Sequence, residues 1–226
     1  MGIEQLTVDY VEHSGSDISV VNAARVSFDK KSEALGHTGI GDGPMVPVVH
    51  DSDKKLIKYL ADNKHYSPFN HTFVTFRCSA PLFVMGQLKK HEYMPWNEIS
   101  RRYTTENIEF YTPEVWRGKS EDKKQGSDGV VNIHLDQEVQ WHRQFQTYQT
   151  LIEEGVSPEM ARIVLPQSMY TEWFWSGTVG AIAKMCNLRC KPDTQAETRI
   201  VADQISEKML ELFPVSWDAL TEDDDE

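Results

Sequence analysis

The chain has 226 residues, a mass of 25.9 kDa, and 23 basic against 35 acidic side chains, giving a formal charge of −12. With 39% hydrophobic and 26% charged residues it reads as a globular chain large enough for a real core, not a disordered or fibrous one. The acidic balance disfavours any nucleic acid polymer as partner, since duplex binding rewards positive surface; no apolar run approaches the ~20 residues of a membrane span.

Residues 1–10 lack a basic stretch followed by an apolar one, so no secretory signal is read there and a cytoplasmic setting is expected. A first strand is predicted over 5–12, where Leu6, Val8 and Tyr10 alternate with polar residues. A short helix follows around Val20 to Arg25. Residues 33–51 are rich in Gly, Pro and His with no period and read as a long loop. Ser52 is placed as the cap of a helix through Leu56, Tyr59 and Leu60. Residues 65–70 form a turn on Ser67-Pro68, and 72–79 a strand with Val74, Phe76 and Cys78 on one face.

Pro81 suits the first helical position of a helix over 81–90, which sets Gln87 and His91 about one turn apart. Met94-Pro95 forces the chain out of helix. Residues 119–129 read as a charged, mobile loop. The clearest amphipathic helix spans 136–154, with Trp141, Phe145, Tyr148 and Ile152 as its stripe and Gly155 as its stop. Ser157-Pro158-Glu159 opens a short helix ended by Pro166. Residues 169–176 are aromatic and strand-like, with Tyr170, Trp173, Phe174 and Trp175 assigned to core or subunit interface. Residues 179–188 return to helical spacing. Asp193 or Thr194 caps a last helix carrying Ile200, Ile205, Met209 and Leu212, and 222–226 is an acidic tail.

Chemistry concentrates between Lys89 and Tyr103. This non-periodic segment holds four cations (Lys89, Lys90, Arg101, Arg102), His91, Asn97, Ser100 and two carboxylates, Glu92 and Glu98. Two readings compete. One is an anion site, in which the hydroxyl and backbone N–H groups at Ser100 and Arg101 and the Arg102 guanidinium hold a phosphate. The other is a solvated loop with surface ion pairs of little energetic worth. Ser100 also admits a nucleophile role, but no triad partner accompanies it, and phosphate donor is the preferred assignment. Cys78 sits on an apolar strand face. Cys186 and Cys190 are spaced as a helix pair, where Arg189 could lower a thiol pKa; two more ligands at usual spacing would be needed for a metal, so none is expected.

The order His91-x6-Glu98-x-Ser100-x-Arg102-Tyr103 resembles the signature of the flavin-dependent thymidylate synthases, with Lys90 and Glu92 standing where that signature has Arg. Four further segments resemble the family in the same order: Ala23 to Phe28; His65 to His71 with the strand and Ala80 to Val84 after it; Ala161 to Pro166 with Tyr170-Thr171-Glu172; and Asn187-Leu188-Arg189 with Gln195-Ala196-Glu197. The likeness runs from about Leu6 to Phe213.

What the resemblance implies is a thymidylate synthase-complementing α/β fold: one catalytic domain over residues 1–221, with a mostly antiparallel or mixed sheet flanked by helices. It implies a homotetramer with active sites shared between chains. The implied reaction is reductive methylation of dUMP to dTMP, with FAD as cofactor and NADPH and methylenetetrahydrofolate as co-substrates. Gln87, Glu98, Ser100, Arg101, Arg102, Arg162 (from another chain) and Arg189 would hold the nucleotide, and Arg189 and Ser100 would lie closest to the chemistry. Ser27, His65, Ser67, Lys90, His91, Glu92, Tyr93, Thr178 and Lys184 would line the flavin. Asn70, Thr178, Gly180 and Lys184 depart from the family's usual residues on that side, and Lys184 could offset Glu92. Trp96 is placed where an aromatic ring could cover a flavin or folate. A pyrimidine nucleotide hydroxymethylase on the same scaffold and a catalytically silent nucleotide binder are the alternatives.

Overall fold

The computed structural model describes residues 6–39, 45–120 and 126–221. Its centre is an antiparallel sheet in the order β1-β4-β8-β5, built from β1 (Thr7–Ser14), β4 (Phe73–Pro81), β8 (Tyr170–Gly177) and β5 (Trp96–Glu98). The register pairs Phe76 with Trp175 and Cys78 with Trp173, so strict alternation puts all four on one buried face. The other face is polar: Arg77 reaches Glu172 at 2.7 Å, and the Thr75 and Ser176 hydroxyls meet at 3.0 Å. A sheet buried on one side needs one layer of helices.

That layer is α6 (Val179–Arg189) and α7 (Ala196–Leu212), which lay Ile182, Met185, Cys186, Val201, Ile205 and Met209 against the sheet. Gly177 lets α6 start close to the sheet, because a Cβ there would sit 3.2 Å from Met94 and 3.1 Å from Ile182. The buried rings are therefore core, as expected of Tyr170, Trp173 and Trp175; Phe174 alone of that run is exposed.

A second cluster joins α1 (Asp17–Arg25) and α2 (Asp51–Asp62) through Val20, Val21, Ile57, Leu60 and Phe69. A final helix, α8 (Pro214–Thr221), which the sequence pattern does not announce, closes against both. Its first turn is held by the buried Asp17, which accepts from the Val215 amide, the Ser216 amide and the Ser216 hydroxyl. A third cluster packs α4 (Gln137–Glu153) on the segment before β8; Tyr148 is buried, and Phe110 stacks on Trp141 at 4.9 Å. The amphipathic stripe predicted for α4 is the face that packs.

Several expectations are corrected. The loop over 33–51 contains a short hairpin, β2 (Gly36–Thr38) with β3 (Val46–Val48). His50, not Ser52, precedes the first turn of α2. Pro81 is the last residue of β4 and lies before α3 (Leu82–Leu88), rather than inside it; its fixed φ serves the strand-to-helix corner equally well. Of the stretch read as a loop over 119–129, Lys119 and residues 127–129 lie in paired strands, β6 (Arg117–Lys119) and β7 (Ser127–Val130), and residues 121–125 lie outside the described residues. The residue before α7 is Gln195, not Asp193 or Thr194. The acidic tail lies outside the described residues. Among those described, no helix is long and apolar enough to cross a membrane, and no group of His, Cys, Asp and Glu could hold a metal.

Candidate active site

The cationic segment leaves α3, passes through β5, and ends in a tight turn. In that turn the Tyr103 and Thr104 amides bond the Ser100 carbonyl at 3.0 Å, and the Arg102 amide donates to Ser100 Oγ at 3.3 Å. Ser100 Oγ is used there as an acceptor, which leaves its hydrogen to donate. Arg101 is buried and does structural work: its guanidinium donates to the Glu106 and Asn107 carbonyls at 2.7 and 3.1 Å. Arg102 is half-exposed and pairs with Glu159 at 3.0 Å.

Around this turn lies a cavity of about 450 Å³ lined by Glu98, Arg101, Glu159, Arg162 and Gln167, among others. Glu98 is fixed on both sides, accepting from Thr171 Oγ1 at 2.9 Å and facing Lys89 Nζ at 3.6 Å. Lys89 in turn lies over the Trp96 ring at 5.7 Å. Trp96 itself stacks on Trp173 at 4.5 Å, which makes it part of the sheet's packing.

A larger pocket of about 860 Å³ opens where α3, α6 and α7 converge. Gln87, Lys90 and Arg189 line it. Arg189 is pinned at two points: its Nε donates to His91 Nε2 at 3.0 Å, and an Nη donates to the Gln87 carbonyl at 3.2 Å. The acceptor role fixes His91 as neutral at that nitrogen. Burial, with Arg189 and Lys184 close by, lowers its pKa to about 4. Burial also lowers the Arg189 pKa from its ordinary value. Gln87 is held by a side-chain hydrogen bond to Gln195. Gln167 lines both cavities, so the two adjoin. Arg162 lines the smaller cavity, with Ser100 set between its lining residues Ile99 and Arg101 and Arg102 tied to it through Glu159, whereas Gln87, Lys90 and Arg189 line the larger.

A third pocket, about 600 Å³, lies at the first turn of α6 and is lined by Tyr66, Asn70, Tyr93, Thr178, Gly180 and Lys184, among others. Tyr93 stands there in the left-handed region (φ +61°), and Thr178 Oγ1 donates to Asn70 Oδ1 at 2.8 Å. Lys184 lies on this wall; Glu92 is exposed nearby and does not line it. A flavin dinucleotide asks for a positive end for its phosphates and rings or amides for its flat head. The donor set fits: an 11-residue helix presents its N-terminus, Lys184 adds a cation, and Tyr66, Tyr93 and Asn70 flank them. Ser27, His65 and Ser67 are exposed and do not line the pocket within one chain, although Ser67 belongs to the same short turn as Asn70.

Sequence reasoning gave no role to Tyr111, Arg117, Gln195 or Glu197, all of which line the large pocket. Gln195 and Glu197 fall in a segment that carried the family likeness; Arg117 gave no signal. Cys78 and Cys186 are buried, and Cys190 is partly buried. Burial pushes the Cys78 and Cys186 thiols up, so Arg189 does not activate Cys186.

A family profile described as thymidylate synthase complementing protein matches residues 9–215. Relatives described as flavin-dependent thymidylate synthase include one from Kosmotoga olearia, 36% identical over 96% of this chain and 90% of that one. Another, from Thermus thermophilus, is 35% identical over 95% of this chain and 75% of its own length. Among solved structures, a UMP/dUMP methylase from Streptomyces cacaoi bound to 5-Br dUMP superposes with a TM-score of 0.79 at 29% identity, covering 96% of this chain and 95% of that one. The same methylase with 5-Br UMP superposes equally well, at a TM-score of 0.79. With the profile spanning nearly the whole sheet-and-helix core, this chain belongs to the thymidylate synthase complementing family, the flavin-dependent thymidylate synthases.

Proposed function

We infer that the three pockets serve one reaction. The chain is a flavin-dependent methyltransferase that converts dUMP to dTMP. The finer assignment we propose takes the one-carbon unit from methylenetetrahydrofolate and the reducing hydride from NADPH, with FAD as the flavin. A homotetramer of single catalytic domains (residues 1–221) in the cytoplasm completes the reading. Neither a hydroxymethylase nor a silent binder is favoured by the relatives this chain resembles.

The single observation that carries the reading is Arg189, a partly buried guanidinium clamped by His91 and the Gln87 carbonyl at the wall of the large pocket. Its placement suits a uracil carbonyl. Negative charge that develops on the base oxygen as the ring becomes nucleophilic would meet a cation already fixed in place, which is where electrostatic stabilisation is most effective. Ser100 Oγ–H, the turn amide at Arg101, and the Arg102 and Arg162 guanidiniums would take the phosphate at the adjoining cavity. Arg162 is exposed, so it is free to reach a nucleotide held mainly by a second chain. Glu98 would accept from the sugar or base.

Tyr93, Thr178, Asn70 and Lys184 would hold the flavin, joined from the same or a second chain by Ser27, His65, Ser67, His91 and Glu92. Lys90, on the wall of the nucleotide pocket, would face both ligands. The bound flavin supplies hydride transfer from NADPH to the transferred carbon. The chain's own share is to orient the base, exclude water and hold charge.

The test is an absorbance spectrum of the purified protein, followed by NADPH-driven tritium release from 5-tritiated deoxyuridylate. Flavin bands and folate-dependent release are expected. A protein that cannot be loaded with FAD and releases no tritium ends the reading.

A further inference from the structure

The large pocket has a wall that the nucleotide assignment leaves unused. Arg117, on β6, donates through Nε to Ser127 Oγ at 2.8 Å and through an Nη to Glu197 Oε1. Tyr111 O–H donates to the same carboxylate oxygen at 3.0 Å. Glu197 is buried, which by itself raises its pKa, yet the bonds from Arg117 and Tyr111 outweigh burial and hold it below the ordinary value. The carboxylate is thus a fixed anion in the pocket wall, and it sets where Arg117 stands.

The hairpin carrying Arg117 is locked to α7's approach from a second side. Gly126 has φ +87°, and a Cβ there would lie 2.8 Å from the Asp193 carbonyl, so only glycine permits this closeness. Tyr111 is placed independently: its amide bonds the Ser168 carbonyl at 2.8 Å, and its ring packs on Phe83 at 5.7 Å. Trp116, Pro113 and Val115 continue the apolar wall beside it.

A guanidinium has five N–H donors, and two of them are used among the described residues. The side chain is 29% exposed and lines the pocket, so its remaining donors are available to an occupant. The pocket, at about 860 Å³, lies near the top of the ~300–1,000 Å³ range of small-molecule sites, with room beyond one nucleotide.

We propose that Arg117 is a further substrate-binding residue, which grips carbonyl or carboxylate oxygens of a flat ring-bearing ligand packed on the Tyr111–Trp116 wall. Glu197 is its positioning residue. The inference rests on the dUMP-methylation reading. Two molecules of that reaction carry the required chemistry, the nucleotide base and the folate donor.

The experiment titrates dUMP and methylenetetrahydrofolate separately into the full-length, FAD-supplemented protein by calorimetry, for the wild type, Arg117→Met and Arg117→Lys. Loss of charge-assisted bonds to one ligand should raise its Kd at least ~10-fold in Arg117→Met, while the other ligand's Kd stays within ~2-fold. The ligand that weakens names the occupant. Arg117→Lys keeps a cation for Glu197 but loses the fork, so it should melt like the wild type and still bind that ligand more weakly. In steady state the same ligand's KM should rise more than kcat falls, and Glu197→Gln should show a smaller shift of the same kind. If both Kd values are unchanged in Arg117→Met, or if Arg117→Lys binds as the wild type does, the inference is overturned. A wild-type protein that binds neither molecule sinks the functional reading instead.

Discussion

The His91–Arg189 contact predicts how stability responds to acid. His91 titrates at about 4 in the folded chain against an ordinary 6.5, so between those values the unfolded chain binds the extra proton. Full stability is therefore held above pH 6.5 and lost as pH falls toward 4. Taken at face value the shift is worth ~3 kcal/mol at the acid limit. His91 is only half buried, and solvent screening reduces this; about 1 kcal/mol should be lost between pH 7 and pH 5. For a chain of this size that corresponds to ~2–4 °C in Tm. His91→Gln keeps an acceptor for Arg189 Nε but cannot titrate. Urea unfolding of both proteins at pH 7 and pH 5 isolates the effect, because every other titrating group is common to both. The wild type should lose about 1 kcal/mol more than the variant over that interval. Equal losses would refute the argument that burial and the neighbouring cations hold this ring neutral.

Arg189→Ala should lower kcat by roughly 100-fold while changing the dUMP dissociation constant much less, since the interaction strengthens as base charge develops; an unchanged kcat with weakened binding in steady-state and equilibrium assays would assign it a purely ground-state role. Glu159→Gln should tighten dUMP binding by up to about five-fold, because it frees Arg102 from a half-exposed ion pair worth ~0–1 kcal/mol; weaker binding by calorimetry would show that Glu159 helps hold the ligand. Asp17→Ala should cost ~2–4 kcal/mol in urea unfolding, since it leaves the Val215 and Ser216 amides at the start of α8 without their acceptor; a loss under ~0.5 kcal/mol would mean that water replaces the carboxylate there.

Where the fold was legible, a long period carried it. The α4 stripe and the alternation in β4 each repeat several times, and each marks the buried face. Three-residue strands such as Gly36–Thr38 and Val46–Val48 complete barely one alternation, so no pattern exists to read, and their pairing is decided by contacts. Helix α8 starts at Pro214, immediately after Phe213 ends α7, without a polar stretch to mark the break. The site divides in the same way. Lys90, His91, Ser100 and Arg102 lie within one segment and could be seen together. Arg117 and Glu197 are 80 residues apart, and only the folded chain shows that they are partners.

The Gln87–Gln195 bond and the Arg189–Gln87 bond each join residues more than 100 positions apart. The cavity is therefore complete only once segments far apart in the chain have come together, and a chain still emerging from synthesis lacks part of its wall. Ligand and denatured ensemble are strict competitors. At a hundred times its Kd the ligand would add ~2.7 kcal/mol to the native side of the balance. Saturating deoxyuridylate would thus slow proteolysis of the chain as well as feed its turnover.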